Sequence, residues 1–331
     1  MTTRVTPEET PLPDGYSVRP AVRDDLDEIV AVIRAAETAV CGETSVSPGE
    51  ISHDWLDPRF DMTRDTWVVA DAAGRLVAYA LATGVNPAVP IDLYFVILPD
   101  LTDVGLDAHL LGRLLARARE HADGRGLATD EAGIALWCLR DDERKHALYE
   151  RLGAVRTRVF LRLTIDAEHL PPAPPWPAGV VVAPFRCGDD DADVHAALED
   201  AFSEHFLPTK SPLDVWQAET LGDDDFDPTL FLVARDGDEI AGVVLCFAAS
   251  DVGMVEQLAV RKPWRGRGLG KALLLHALHL LAARGLDHLQ LGVDAQNTTG
   301  ATELYESIGM HTTRVTDFYE IRLDEGAPWP P

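Results

Sequence analysis

The chain has 331 residues, enough for two average domains that each bury a core of their own. Apolar residues make up 46% and charged residues 25%, a globular composition, and no run reaches the roughly 18 consecutive apolar residues of a membrane span. The net charge of −26 argues against a protein that neutralises nucleic-acid phosphates. The scattered cysteines Cys41, Cys138, Cys187 and Cys246 offer neither a disulfide framework nor a zinc site. The start, from Met1 to Gly15, lacks a signal-peptide core, so a cytoplasmic protein without metal is expected.

In chain order, Tyr16 to Pro20 reads as a short strand and Asp24 to Glu37 as an amphipathic helix with Ile29, Val30 and Ile33 on its apolar stripe. Thr66 to Asp71 and Leu76 to Thr83 form a hairpin about Gly74. Ile91 to Leu98 is the next strand, followed by a Leu/Ala-rich helix from Leu106 to Ala122, a strand from Ile134 to Leu139 and a short helix within His146 to Gly153. Leu170 to Ala178 carries too many prolines for a helix or a central strand and reads as a linker.

The same order then repeats. Val180 to Phe185 and Asp191 to Phe202 give strand and helix, and Leu230 to Arg235 with Glu239 to Ala248 form a hairpin about Gly237. Met254 to Arg261, Gly270 to Ala283, His288 to Val293 and Thr302 to Gly309 follow as strand, helix, strand and short helix. The pattern Leu-Tyr-Glu-x-x-Gly recurs at Leu148 and Leu304, as expected of a tandem duplication. The predicted fold is α/β (α+β), with domains at 1–168 and 180–331 and a linker at 169–179.

Between the strand ending at Val260 and the helix starting near Gly270 lies Arg265-Gly266-Arg267-Gly268-Leu269-Gly270. Glycines let the backbone turn tightly, and the helix start that follows adds unpaired N–H groups and a positive dipole end, so the segment suits a diphosphate.

This segment, with Glu256-Gln-Leu-Ala-Val260 before it and Asn297 and Leu304-Tyr305-Glu306 through Gly309 after it, resembles the GNAT superfamily of N-acetyltransferases. The resemblance implies two tandem GNAT domains, each a mixed, mostly antiparallel twisted sheet flanked by helices. It also implies an acetyl-CoA site in which backbone N–H groups from Arg265 to Lys271 hold the pyrophosphate, and Leu258, Ala259 and Val260 hold the pantetheine arm and thioester carbonyl. Asn297 is expected to contact the pantetheine or to cap the next helix. Glu256 is the expected base, on the face of Leu258 and Val260 by strand alternation, and Tyr305 the expected acid for the departing thiolate. Glu204, His205, Asp214 and Trp216, after the first helix of this half, are the expected acceptor contacts.

When Val96 is aligned with Val260 and one residue is inserted before the glycines, Thr102 stands for the motif arginine and Asp107 for Gly270. A carboxylate there repels a diphosphate, so the first half is expected to be catalytically silent, completing a pseudo-dimer within a monomer. The layout is similar to that of mycothiol synthase and its relatives. It implies N-acetylation of a small-molecule primary amine, such as an amino sugar, aminoacyl conjugate or antibiotic. The alternatives are mycothiol synthase proper and a non-catalytic acyl-CoA sensor.

Overall fold

The computed structural model describes residues 10–42, 44, 46–102, 104–127, 132–203, 205–206, 211–249 and 252–323. Two compact units divide the chain, one formed by residues 1–159 with 316–331 and the other by 160–315. Each is a mixed, mostly antiparallel sheet flanked by helices.

In the first unit the chain runs β1 (Ser17–Arg19), α1 (Leu26–Cys41), α2 (Pro48–Ser52), α3 (Met62–Asp65), β2 (Thr66–Ala70), β3 (Leu76–Thr83), β4 (Ile91–Ile97), α4 (Leu106–Gly124), β5 (Gly133–Leu139) and α5 (Glu143–Arg151). It continues into β6 (Val155–Asp166), which passes to the second unit. There follow β7 (Val180–Pro184), α6 (Asp191–Phe202), α7 (Leu213–Trp216), β8 (Leu232–Asp236), β9 (Glu239–Ala249), β10 (Val252–Val260), α8 (Leu269–Ala283), β11 (His288–Asp294), α9 (Ala301–Glu306) and β12 (His311–Arg322).

Helix α4 buries Leu106, Leu110, Leu111, Leu114, Ala118 and Ala122, an i, i+4 stripe that seats one face on the sheet. Helix α8 buries eight residues almost all round, from Leu269 to Leu281. Both begin at a glycine in the left-handed region, Gly105 (φ 86) and Gly268 (φ 82), where a side chain would be strained. No helix of the described residues is long and apolar enough to cross a membrane.

The unit boundaries differ from those expected at 168 and 180, because the last strand of each sequence half completes the sheet of the other. Phe160 to Asp166 of β6 pair antiparallel with β11, and Thr316 to Arg322 of β12 pair antiparallel with β5. Neither long strand was foreseen from sequence, although Val155-Arg-Thr-Arg-Val-Phe-Leu-Arg-Leu-Thr-Ile carries the alternation of a strand. The Pro-rich run is not a free linker. His279 Nε2 donates to the Pro171 carbonyl at 2.9 Å, His276 Nε2 to that of Pro174 at 3.1 Å, and Trp176 stacks on His276 with ring centroids 4.0 Å apart. It is thereby strapped along α8.

The incoming end of β12 is latched by charge. Asp317, fully buried, accepts from Arg140 at 2.8 and 2.5 Å and from Arg156 at 3.3 Å. Burial alone would raise its pKa, but the Arg140 and Arg156 guanidiniums hold it below the usual carboxylate range. The folded pKa is depressed, so the stabilisation is present above the unfolded carboxylate value and lost as pH falls through the folded one. Asp317→Asn is expected to cost about 1–3 kcal/mol at neutral pH, because bonds to a charged acceptor become neutral ones. Denaturant melts at pH 7 and pH 3 check this: the difference from wild type shrinks at the lower pH.

Candidate coenzyme and acceptor site

In the second unit β10 and β11 pair in parallel from Val252↔His288 to Val255↔Leu291, and there the pairing stops. Strand β10 runs on to Val260 and β11 to Asp294, so the two part as a wedge and the β11-side edge of residues 256–260 has no ladder partner among the described residues. The other edge stays paired with β9, with one register shift. Val255 opposes Cys246 and Gln257 opposes Leu245, leaving Glu256 as the extra residue of a β-bulge. Leu258, Ala259 and Val260, the residues expected to hold the pantetheine, form the free edge itself.

The bulge corrects two sequence expectations. Val255, Leu258 and Val260 share one face, because their partners Cys246, Val244 and Gly242 alternate on β9. Plain alternation would put Glu256 with Leu258, whereas Glu256 is the unpaired residue at which the alternation shifts, and it is exposed. The inserted residue is likewise not in the glycine loop. Counting back from Gly105 and Gly268, Ile97 matches Val260 with no gap, and the extra residue is Glu256, which has no counterpart in β4.

The glycine turn lies between this strand and α8. Gly266 (φ 73) and Gly268 (φ 82) are left-handed, and Gly266, Arg267 and Gly268 are exposed, with Leu269 buried beneath them. Gly270 needs no special φ; a Cβ there would meet Val260 at 3.6 Å and Leu304 at 3.8 Å, so it leaves room at the mouth of the wedge. The Arg265 side chain is a brace: Nε donates to the Val260 carbonyl at 2.9 Å and Nη2 to that of Ala201 at 3.1 Å. Lys271 is half-buried in the first turn of α8.

Tyr305, on α9, is 7% exposed, and burial pushes its phenol up to about 12. No described residue hydrogen-bonds its hydroxyl. Asn297 shapes the turn before α9, its Oδ1 accepting from the Thr299 amide at 2.7 Å and hydroxyl at 2.6 Å. Of the acceptor residues, Glu204 lies outside the described residues. His205 packs edge-on against Phe202 at 4.6 Å; burial and then the Arg265 charge lower its pKa, while Asp294 opposes them. Asp214 is exposed. Trp216 is 5% exposed and belongs to the core, beside Phe185 at 6.4 Å and His195 at 5.7 Å, because residues two apart on a helical turn face opposite ways.

The first unit has the same wedge, filled by its own chain. β4 and β5 pair in parallel only from Ile91↔Ile134 to Leu93↔Leu136. The Lys145 ammonium donates to the Phe95 carbonyl at 2.8 Å, on the counterpart of Leu258, and lies 5.0 Å from the Phe95 ring centroid. At the start of α4, Asp107 Oδ1 accepts from the Ala108 amide at 2.8 Å, where a phosphate would dock. Arg144 closes over it, donating to Asp107 at 2.7 Å and to the Thr102 carbonyl. Tyr149, the counterpart of Tyr305, is fully buried with its hydroxyl donated to the Trp137 carbonyl at 3.2 Å. Sequence reasoning found Asp107 but missed Arg144 and Lys145, whose adjacency in an otherwise polar helix gave no hint of where they reach.

Comparison with known proteins agrees with this geometry. Residues 193–310 match the acetyltransferase (GNAT) family. A mycothiol acetyltransferase of Streptomyces scabiei is 34% identical over 203 residues, 59% of this chain and just under two thirds (65%) of that protein. One of Salinispora arenicola is 31% identical over 311 residues, covering 90% of this chain and 94% of the relative. The crystal structure of a GCN5-related N-acetyltransferase from Sphaerobacter thermophilus superposes with a TM-score of 0.75 at 27% identity, over 96% of this chain and 98% of that one. The chain belongs to the GNAT family of acetyltransferases.

Proposed function

We propose that the protein transfers an acetyl group from acetyl-CoA to the primary amine of a small molecule, using the wedge of the second unit alone. The observation that carries this reading is the parting of β10 from β11 after Val255, which leaves a free strand edge pointing toward the left-handed glycine turn. Backbone N–H groups of that edge and of the turn from Arg265 to Lys271 suit the pantetheine and the pyrophosphate in that order. Arg265 and Arg267 add positive charge, although Arg265 acts mainly by fixing the turn. Asn297 acts in the same way, by holding the turn before α9.

Attack requires the neutral amine, and the bulged, exposed Glu256 is the carboxylate beside the free edge that can take its proton, directly or through water. Backbone donors of β10 stabilise the oxyanion that forms on the thioester carbonyl oxygen as the amine adds to its carbon. Tyr305 stays a phenol at any working pH, because burial holds it near about 12. A thiol ionises near 8.5, so such a phenol serves the departing sulfur better as a standing hydrogen-bond donor than by full proton transfer. Its free hydroxyl contrasts with the tied Tyr149 and supports catalysis over a sensor role. His205, with Glu204 and Asp214, remains on the acceptor side of this reading. The relatives support a narrower form, in which the chain is itself a mycothiol acetyltransferase.

Release of free thiol from acetyl-CoA with a panel of small amines tests the reading; binding of the coenzyme without turnover on any amine favours the sensor. Glu256→Gln is expected to lower turnover roughly 10²-fold at neutral pH with acetyl-CoA affinity unchanged. Unchanged turnover removes it from the base role. For Tyr305→Phe the expectation is a drop in kcat on the order of 10²-fold at constant acetyl-CoA affinity, as for loss of one preorganised donor. Calorimetry is expected to count one coenzyme per chain in wild type and none in Gly270→Asp, which copies Asp107. A second bound coenzyme refutes the filled first wedge, and binding that survives Gly270→Asp removes Asp107 as the ground for calling the first half silent.

A further inference from the structure

Two glutamines of the second unit have side-chain oxygens without a hydrogen-bond partner among the described residues. An added Cβ at Gly242 would meet Leu273 and Leu269, so Gly242, Val244 and Cys246 face α8. Leu245 and Phe247 therefore face the other way, and so do their partners Gln257 and Met254. Gln290 pairs in parallel with Met254 and shares that face. The two glutamines thus flank the point where the strands part, one on each side of the wedge, on the sheet face opposite α8.

Gln290 is 7% exposed, and among the described residues neither its Oε1 nor that of Gln257 has a hydrogen-bond partner. A buried carbonyl oxygen left without a donor costs about 1–3 kcal/mol, and leucine at either place would avoid it. Space adjoins them. Gly292, the next residue of β11 on the same face, is exposed, and a Cβ there would meet nothing within 4 Å. Glycine in a strand interior marks a place where something else approaches the backbone. Across from Gly292, Arg162 places Nη1 3.0 Å from Met254 Sδ, closing one side of the opening.

We propose that Gln257 and Gln290 are specificity-determining residues for the acceptor, their side-chain oxygens accepting hydrogen bonds from N–H or O–H groups that flank its reacting amine. This rests on the acetyl-transfer reading and deepens it. A site with unpaired buried acceptors favours ligands that fill them and rejects those that cannot, a discrimination that apolar pockets do not achieve. Gly292 provides the room through which those groups enter.

The test uses the full chain, acetyl-CoA, and two probe amines of similar size, D-glucosamine and cyclohexylamine. Wild type is expected to prefer glucosamine by at least 10-fold in kcat/KM. The double variant Gln257→Leu/Gln290→Leu is expected to lose that preference, with the KM for acetyl-CoA unchanged and the melting temperature equal or higher. A purely structural role predicts instead a lower melting temperature with the preference intact. Gly292→Val, which has room to fold, is expected to exclude glucosamine while still binding acetyl-CoA. The inference is overturned if wild type shows no preference or uses neither amine, if the double variant keeps the preference, or if Gly292→Val turns glucosamine over normally. Acetyl-CoA turnover on other amines alongside any of these leaves the acetyl-transfer reading standing and removes only this one.

Discussion

The parting of two parallel strands after Val255 is the constraint on which the second unit depends. Paired along their whole length, β10 and β11 would make a sounder sheet and offer no free backbone to a coenzyme. Strand β10 keeps one edge in its ladder with β9 and opens the other, so the unpaired groups belong to a strand that is still held in place. The bulge at Glu256 sits at the start of the opening. It takes up one residue, increases local twist and brings a carboxylate to the place where the edge becomes free.

The first unit shows the same opening bridged by the chain's own side chains. Its strands part after Leu93, and the groups a coenzyme would satisfy are satisfied internally. Lys145 serves the strand carbonyl, the Asp107 carboxylate serves the helix start, and Arg144 neutralises that carboxylate. The strand also lacks the bulge and therefore any counterpart of Glu256. Asp92, on the partner residue of Ala135, is instead drawn into the interior, held by Trp137 Nε1 at 2.8 Å, and burial pushes its carboxyl up to about 7. The same strand parting thus occurs in both units, and in the first it is side chains of α4 and α5 that occupy it.

What could be read from the sequence follows from range. The glycine turn, the helices behind it and the hairpins are local patterns, and the structure has them where the periodicity and turn residues put them. The bulge was invisible, because one extra residue in a run of strand-forming residues changes no local signal; it surfaced only as a gap, and a loop was the natural place to put it. Trp216 was read as a contact because tryptophan after a helix is ambiguous until the packing of Phe185 and His195 is known. Gln257 and Gln290 were visible as amides inside apolar strands, but only the register shows that they share a face. The exchange of β6 and β12 lay beyond any local reading, since a strand pattern does not say which sheet it joins.

That exchange also ties the two units into one folding problem. The second unit lacks a strand beside β11 until Phe160 to Asp166 join it, and the first lacks one beside β5 until Thr316 to Arg322 arrive. The latter pairing closes over more than half of the chain, so the first unit gains this strand only after the residues of the second have been made. Closure over such a separation is slow to find, because its entropy cost precedes any contact that offsets it. The buried Asp317, held by Arg140 and Arg156 and followed by Phe318 against Trp137 at 4.7 Å, is the kind of specific contact that fixes register once the strand arrives. A fragment cut at the Pro-rich run would therefore leave β11 with a bare edge and β12 without its partner. The two halves of the sequence are tied for a structural reason: the wedge of β10 and β11 lies in a sheet that Phe160 to Asp166, from the first half, complete.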